Sequence, residues 1–257
     1  MNDDPAIPDA IPAASLILIR DGMDPGDPPE ILMVQRGATL AFLGGAMVFP
    51  GGRVDPADHA LVPHDDPDPA DTAAQIAAIR ETIEEVGLAV GLSPTPDAAT
   101  RAALCEGVRQ GRALADVLRD HDLTIDTAAL IPFARWCPEH SPVRRFDARF
   151  YLAWIDRDRS ETRIDGSETV DARWLPAASA LAQADAGRMR IIFPTRRTLE
   201  RLALYQSFAA AAADAGAWPV RRIIPFLADR DGVPSICIPD DLGFPVTAEA
   251  ASQAERG

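Results

Sequence analysis

The amino-acid sequence predicts an α/β fold: short strands early and late in the chain, an amphipathic helix between them, a helical insertion and a C-terminal helical extension. Two runs of branched aliphatic residues bounded by turn-forming residues lie before position 40, and further such runs follow position 130. Between them, Ile76, Ile79, Ile83 and Val86 recur at helical spacing. With 257 residues, 47% of them hydrophobic, the chain can bury one substantial core with an appended subdomain.

Residues 1–12 carry acidic side chains and three prolines and are expected to form a flexible tail. The run 14–20 reads as a strand entering a turn at Asp21 and Gly22, and 30–36 as its hairpin partner across a Pro/Asp/Gly loop. A short strand at 46–49 is stopped by Pro50, Gly51 and Gly52. A loop insertion, rich in Pro and Asp, covers about 59–71. The central helix is expected from about Thr72, which stands in capping-box spacing with Gln75, to Val86, with Gly87 just past its end. A helical insertion occupies about 98–122, read as one helix over 101–120 despite Gly107 and Gly111. Strands follow at 130–136, 149–155 and 172–175. Within a 188–257 extension, 195–215 reads as one long helix and the Pro/Asp-rich stretch after Ile224 as irregular, leaving 13–187 as the main domain.

Thirty-nine acidic against 25 basic residues give a net charge of −14, which argues against a nucleic-acid partner or an anionic membrane surface, since both are recognised by clustered basic side chains. A small phosphorylated ligand is still compatible, held by local arginines and metal ions. Cys105, Cys137 and Cys237 are scattered and odd in number, so neither a disulfide framework nor a zinc site is expected. The four histidines show no zinc spacing. No secretory pattern opens the chain and no apolar run approaches the ~20 residues of a membrane helix; a cytoplasmic protein is expected.

On a helical wheel with Glu81 at zero, Glu85 falls near ~40° and Glu84 near ~300°, while the apolar residues cluster between about 140° and 220°. Three carboxylates therefore share one face, opposite the core stripe. Like charges at this spacing repel, and carboxylates near a helix C-terminus oppose its dipole. A bound divalent cation with a preference for oxygen ligands offsets both penalties. A solvated acidic surface is the plain alternative.

Arg80, Glu81, Glu84, Glu85, Gly87 and Leu88, preceded by Phe49, Pro50, Gly51 and Gly52, resemble the signature of the Nudix hydrolases, G-x5-E-x7-R-E-U-x-E-E-x-G-U, in which U is a bulky aliphatic residue. There are three departures. Asp58 stands in place of the first glutamate, Thr82 in place of an aliphatic residue, and Gly52 and Arg80 are 28 positions apart where the signature has fourteen. The extra length coincides with the loop insertion, and closure entropy grows only logarithmically with loop length.

The resemblance implies a Nudix-type α/β/α sandwich with a mixed sheet, Mg²⁺ or Mn²⁺ as cofactor, and hydrolysis of a nucleoside diphosphate linked to another moiety. Glu81 and Glu85 are the first choices as metal ligands; Glu84 is either a further ligand or the general base. Arg80 orients the glutamates by ion pairing, and Glu168, preferred over Glu139, supplies an additional carboxylate. The phrases 42–52, 78–85 and 144–150 are similar to the acyl-coenzyme A diphosphatase branch, which implies 3',5'-ADP as a product and basic partners for phosphate. Arg36, Gly51, Gly52, Arg144 and Arg145 are the candidate substrate-binding residues, with Arg196 and Arg197 also available. Other readings are an ADP-ribose, dinucleotide or nucleotide-sugar pyrophosphatase, a non-catalytic nucleotide-sensing module, or an acidic interaction surface without ligand. A homodimer is compatible with Trp154 and Trp218, which suit an interface or a core equally.

Overall fold

The computed structural model describes residues 10–38, 43–138, 145–164, 166 and 168–254. The strands are β1 (Ile11–Arg20), β2 (Glu30–Arg36), β3 (Met47–Val48), β4 (Gly51–Arg53), β5 (Leu92–Ser93), β6 (Thr124–Ile125), β7 (Ile131–Trp136), β8 (Phe146–Trp154), β9 (Thr169–Pro176), β10 (Arg222–Ile223), β11 (Phe226–Arg230), β12 (Val233–Cys237) and β13 (Ala248–Ala250). The helices are α1 (Pro56–His59), α2 (Pro69–Val86), α3 (Ala98–Arg109), α4 (Leu114–Asp120), α5 (Ala177–Asp185), α6 (Phe193–Leu202), α7 (Phe208–Ala217) and α8 (Ala251–Ala254).

Eight strands form one mixed sheet in the order β10-β7-β8-β1-β2-β3, with β4 pairing β1 and β9 pairing β2. β1 runs parallel to β8 from Ile11 opposite Phe146 to Ile19 opposite Trp154. Its other edge is divided: β4 pairs with Ala13, Ala14 and Ser15, and β2 with Ile19 and Arg20. Both sheet faces are covered, which explains why β1 is an almost unbroken apolar run. Ala14, Leu16 and Leu18 face a core shared with α2, α3 and α4, whereas Ile17 and Ile19 face one shared with α5, α6 and α7. The expected α/β/α arrangement with a mixed sheet is what the molecule adopts.

α2 is the element that positions the acidic residues. Ile76, Ile79, Ile83 and Val86 are buried in the first core, and Gly87 ends the helix in the left-handed region at φ 69°. It starts earlier than expected: Asp68 caps it by accepting the Asp71 N–H, and Pro69 takes the first helical position. Thr72 already lies inside, its hydroxyl donating to Asp66. The loop insertion is thus bracketed by helix on both sides, α1 ending at His59 and α2 beginning at Pro69.

Other boundaries differ too. β1 includes residues 11 and 12, expected in the tail. The expected helix 101–120 is two helices, α3 and α4, because Gly111 adopts a left-handed φ of 78°. The expected helix 195–215 is also two, α6 and α7, separated at 203–207. The stretch after Ile224 is a three-stranded antiparallel sheet, β11-β12-β13, rather than irregular chain. Gly51 and Gly52, expected in a loop, belong to β4. No helix among the described residues is long and apolar enough to cross a membrane.

Candidate active site

The last two turns of α2 lie against β4, the short strand that carries Gly51 and Gly52. The Gly51 N–H donates to Glu85 Oε2 at 3.1 Å. Gly51 has φ +155°, and a Cβ there would sit 2.2 Å from the Ala14 carbonyl oxygen, so only glycine fits. At Gly52 a Cβ would fall 2.2 Å from Glu81 Oε1. The bare backbone of β4 therefore makes room for two carboxylates, and this, rather than contact with a ligand, is what the structure shows the two glycines doing.

Arg80 organises the acidic face. Its Nε and Nη2 donate to the two Asp58 oxygens at 2.9 and 3.0 Å, and Nη2 also donates to the Arg53 carbonyl at 3.0 Å. Nη1 donates to Glu81 Oε1 at 3.0 Å and Glu84 Oε2 at 3.2 Å. All five guanidinium N–H groups are thereby matched to acceptors. Burial works against the Arg80 charge, but the Asp58 hydrogen bonds and the surrounding carboxylates outweigh it and hold the group protonated above its usual range. Asp58, only 1% exposed, is itself held by the Asp55 N–H at 2.8 Å. The first departure from the signature is thus accommodated: a short carboxylate on α1 reaches the arginine across the insertion. So is the second, because the buried Thr82 hydroxyl donates to the Ala78 carbonyl at 2.7 Å and leaves no unsatisfied donor.

The carboxylates are electrostatically strained. Burial, with repulsion from Glu84 and Asp55, pushes Glu81 up to about 7 in spite of Arg80. Burial and the charge of Glu81 push Glu85 up to about 8, against the opposing pull of the Gly51 N–H and Arg36. Glu84 is raised as well, mainly by burial, although 38% of its side chain is exposed. A buried carboxylate, Glu85, and a half-buried one, Glu81, one helical turn apart and with more negative charge than one arginine can balance, have the hard-oxygen chemistry that suits a divalent cation. Among the described residues, no three Asp, Glu, His or Cys side chains are arranged to hold a metal ion as they stand, so water or ligand oxygens would complete such a site.

Of the remaining expected residues, Arg36 and the exposed Glu168 act on Glu85 from the sheet edge, one lowering and the other raising its pKa. The Gly37 N–H donates to the Glu168 carbonyl at 2.8 Å, fixing that segment beside β2. Arg145 precedes β8, its carbonyl accepting from the Ile11 N–H at 2.8 Å, and it is not among the charges acting most strongly on Glu81, Glu84 or Glu85. Arg144 and Glu139 lie outside the described residues. Arg196 and Arg197 are engaged elsewhere: Arg196 pairs with Asp185, and the buried Arg197 pairs with Glu200 at 2.7 Å and Glu249 at 3.3 Å, tying α6 to β13. Asp58 and Arg53 join the site in addition to the expected residues: the signature position of Asp58 is the one sequence signal for the first, while the backbone carbonyl of Arg53 leaves none.

The chain matches no family model. It is 28% identical over 179 residues to the Caenorhabditis elegans protein called nudix hydrolase 7, a match covering 67% of this chain and 55% of that protein, so the chain spans about half the length of the curated relative. The Nudix domain of Shewanella oneidensis NrtR, solved with ADP-ribose, is a distant likeness at 14% identity and TM-score 0.43, covering 77% of this chain and 90% of that one, and carries no argument. The crystal structure of a Nudix hydrolase from Alicyclobacillus acidocaldarius is 32% identical, with TM-score 0.68 over 81% of this chain and 97% of that one. With the α2 carboxylates, the Arg80 network and the Gly51–Gly52 backbone of β4 in place, this chain belongs to the Nudix hydrolases.

Proposed function

We propose that the chain is a divalent-metal-dependent hydrolase that cleaves the pyrophosphate bond of a nucleoside diphosphate linked to another moiety, with coenzyme A or an acyl-coenzyme A as candidate substrate. One observation carries the reaction class: Glu81 and Glu85 stand one helical turn apart against the glycine backbone of β4, and burial raises both pKa values, with the charge of Glu81 adding to the rise at Glu85. An arrangement that costs stability without a cation is the kind that function maintains.

Glu81 and Glu85 are the residues that would hold Mg²⁺ or Mn²⁺. When bound, such an ion neutralises charge on the pyrophosphate oxygens and makes water more acidic. Arg80 has no donor left over for substrate, and so positions Glu81 and Glu84 instead. Glu84, the most accessible of the three, is suited to polarise the attacking water or to complete the ligand set, and Glu168 offers a second carboxylate from the sheet edge. Arg36, whose charge acts on Glu85, is assigned to meet a phosphate oxygen in this reading. Arg145 and Arg144 are assigned to recognition of the substrate by the resemblance of the 144–150 phrase alone. In the same reading, residues 13–187 form the catalytic domain and 188–257 an extension packed on it.

The test is a product-resolved screen of coenzyme A thioesters, ADP-ribose, dinucleotides and nucleotide sugars with Mg²⁺ and with Mn²⁺, run beside Glu85→Gln. Release of 3',5'-ADP from an acyl-coenzyme A, lost in the variant, is the expected result. Metal-dependent cleavage of another diphosphate would replace the substrate and keep the reaction class. Absence of any metal-dependent cleavage would remove both and favour a nucleotide-sensing module.

A further inference from the structure

The loop insertion and the helical insertion meet over the N-terminal half of α2 and border an open-sided cavity of about 630 Å³. Its walls include Leu61 from the loop, Ile76 from α2, Ala115 and Leu118 from α4, and Leu123 and Ile125 at β6. On the α2 wheel, Ile76 and Thr72 lie roughly 140° and 180° from Glu81, so the cavity is on the side of the helix away from the carboxylates. It is a separate place in the molecule.

We propose that this cavity is a binding site for an uncharged aliphatic chain. The volume lies within the ~300–1,000 Å³ usual for small-ligand pockets. The walls are mostly aliphatic, with Thr72, Thr124 and Thr127 adding hydroxyls, and no aromatic ring among the described residues lines them for stacking. Charge complementarity excludes an anion. Asp66 and Asp122 stand at the rim, and Arg119, the cation in the lining, is paired with Asp116. An aliphatic occupant also removes apolar wall from water, which gives binding its driving force. The chain could come from the acyl group of a substrate or from a separate molecule; the chemistry recognised is the same. In either case the occupant touches the segment that fixes Arg80, since the Leu61 N–H donates to the Asp58 carbonyl at 3.2 Å.

The experiment uses the full chain and 1-decanol as probe, with decanoate as the anionic control. Decanol is expected to raise the melting temperature saturably, as a native-state ligand must, and decanoate to bind more weakly. Ala115→Trp on half-buried α4 and Thr124→Trp on the exposed rim each place an indole in the cavity, and both should move saturation to higher decanol concentration while leaving the Mg²⁺-induced shift intact. Thr124→Trp decides the matter if Ala115→Trp fails to fold. A decanol effect that never saturates, or that is unchanged in both variants, overturns the proposal. The source is read from turnover: a selective rise in KM for decanoyl-coenzyme A over acetyl-coenzyme A in the filled variant identifies the substrate's own tail, and unchanged KM values identify a separate ligand. The binding arm stands independently of the hydrolase reading, so failure of one is distinguishable from failure of the other.

Discussion

Arg80 and Arg201 are both buried arginines that hold carboxylates, but they do so in different proportions. Arg201, 1% exposed, forms a two-pronged pair with Asp214 through Nε at 3.0 Å and Nη2 at 2.7 Å. Its Nη1 reaches the Phe133 and Leu242 carbonyls, and its guanidinium lies 4.2 Å from the Phe133 ring centroid. One positive charge meets one negative charge inside an aromatic cage. Arg80 instead shares its charge among Asp58, Glu81 and Glu84, with Glu85 one turn beyond Glu81. The difference teaches that burial and hydrogen bonding alone do not mark a site; the charge balance does. The Arg201 pair is closed and structural, whereas the Arg80 cluster is left negative and open to a cation.

This contrast breaks first, and most visibly, at Glu85. Glu85→Gln should reduce metal-dependent turnover on the order of 10²–10³-fold while leaving the cation-free melting temperature unchanged or higher, because a strained buried charge is removed. With free Mg²⁺ at a hundred times its Kd, the native chain should gain about 2.7 kcal/mol and the variant nothing; an equal gain in both would refute the ligand assignment.

Asp214→Ala should show the converse. Removing the partner of a buried arginine costs about 3 kcal/mol, the lower end for such pairs because Asp214 is partly exposed. Urea denaturation measures that loss, and turnover at a temperature where the variant is folded should match the parent. A turnover defect there would mean that the two arginines are not functionally distinct.

Asp58→Asn tests the middle of the scale. It keeps the shape of the side chain but weakens a charge-assisted pair and leaves one Arg80 donor facing an amide, so a loss of about 1–3 kcal/mol is expected. Because Arg80 then holds Glu81 and Glu84 less firmly, kcat should fall more than KM rises; Asp58→Glu, which restores the carboxylate, should recover part of kcat. An unchanged kcat would make Asp58 purely structural.

The smallest effect concerns a cluster of opposite sign, in which Arg135 and Arg222 both pair with Asp147. Burial opposes the charge of Asp147, but the Arg135 hydrogen bonds and the Arg135 and Arg222 charges prevail and hold its pKa below the ordinary 3.8. A depressed acid stabilises the fold fully above its unfolded value and loses that contribution as pH falls through the lower folded value. Asp147→Asn should therefore flatten the acid limb of stability below about pH 4 and alter the pH dependence near neutrality very little. Stability curves that superimpose throughout the acid range would exclude the linkage.

Much of this architecture is visible in the sequence where local chemistry decides it. The isoleucine spacing and Gly87 mark α2, and the same wheel brings Glu81, Glu84 and Glu85 to one face, where the structure has them. The start of α2 was misread because Thr72 and Asp68 are both competent caps, and Pro69 at the first helical position is what selects Asp68. Gly111 and the 203–207 break interrupt apolar patterns that look continuous, since periodicity alone does not register a left-handed residue or a turn. The β11–β13 sheet is set by pairing between distant segments, which Pro/Asp-rich composition conceals. Likewise, Asp58 lies 22 residues from Arg80, so the saturation of the arginine's five donors emerges only when the insertion folds back.

The adjacent glycines of β4 carry a final consequence, for how this sequence tolerates change. A side chain at Gly51 meets fixed backbone, the Ala14 carbonyl and Ser15 Cα, whereas one at Gly52 meets the movable end of Glu81. Substitutions at the first position would be removed from a mutant library as misfolded protein, and at the second as well-expressed but inactive protein. Two neighbouring codons would look equally invariant under selection, one guarding the fold and the other guarding the reaction.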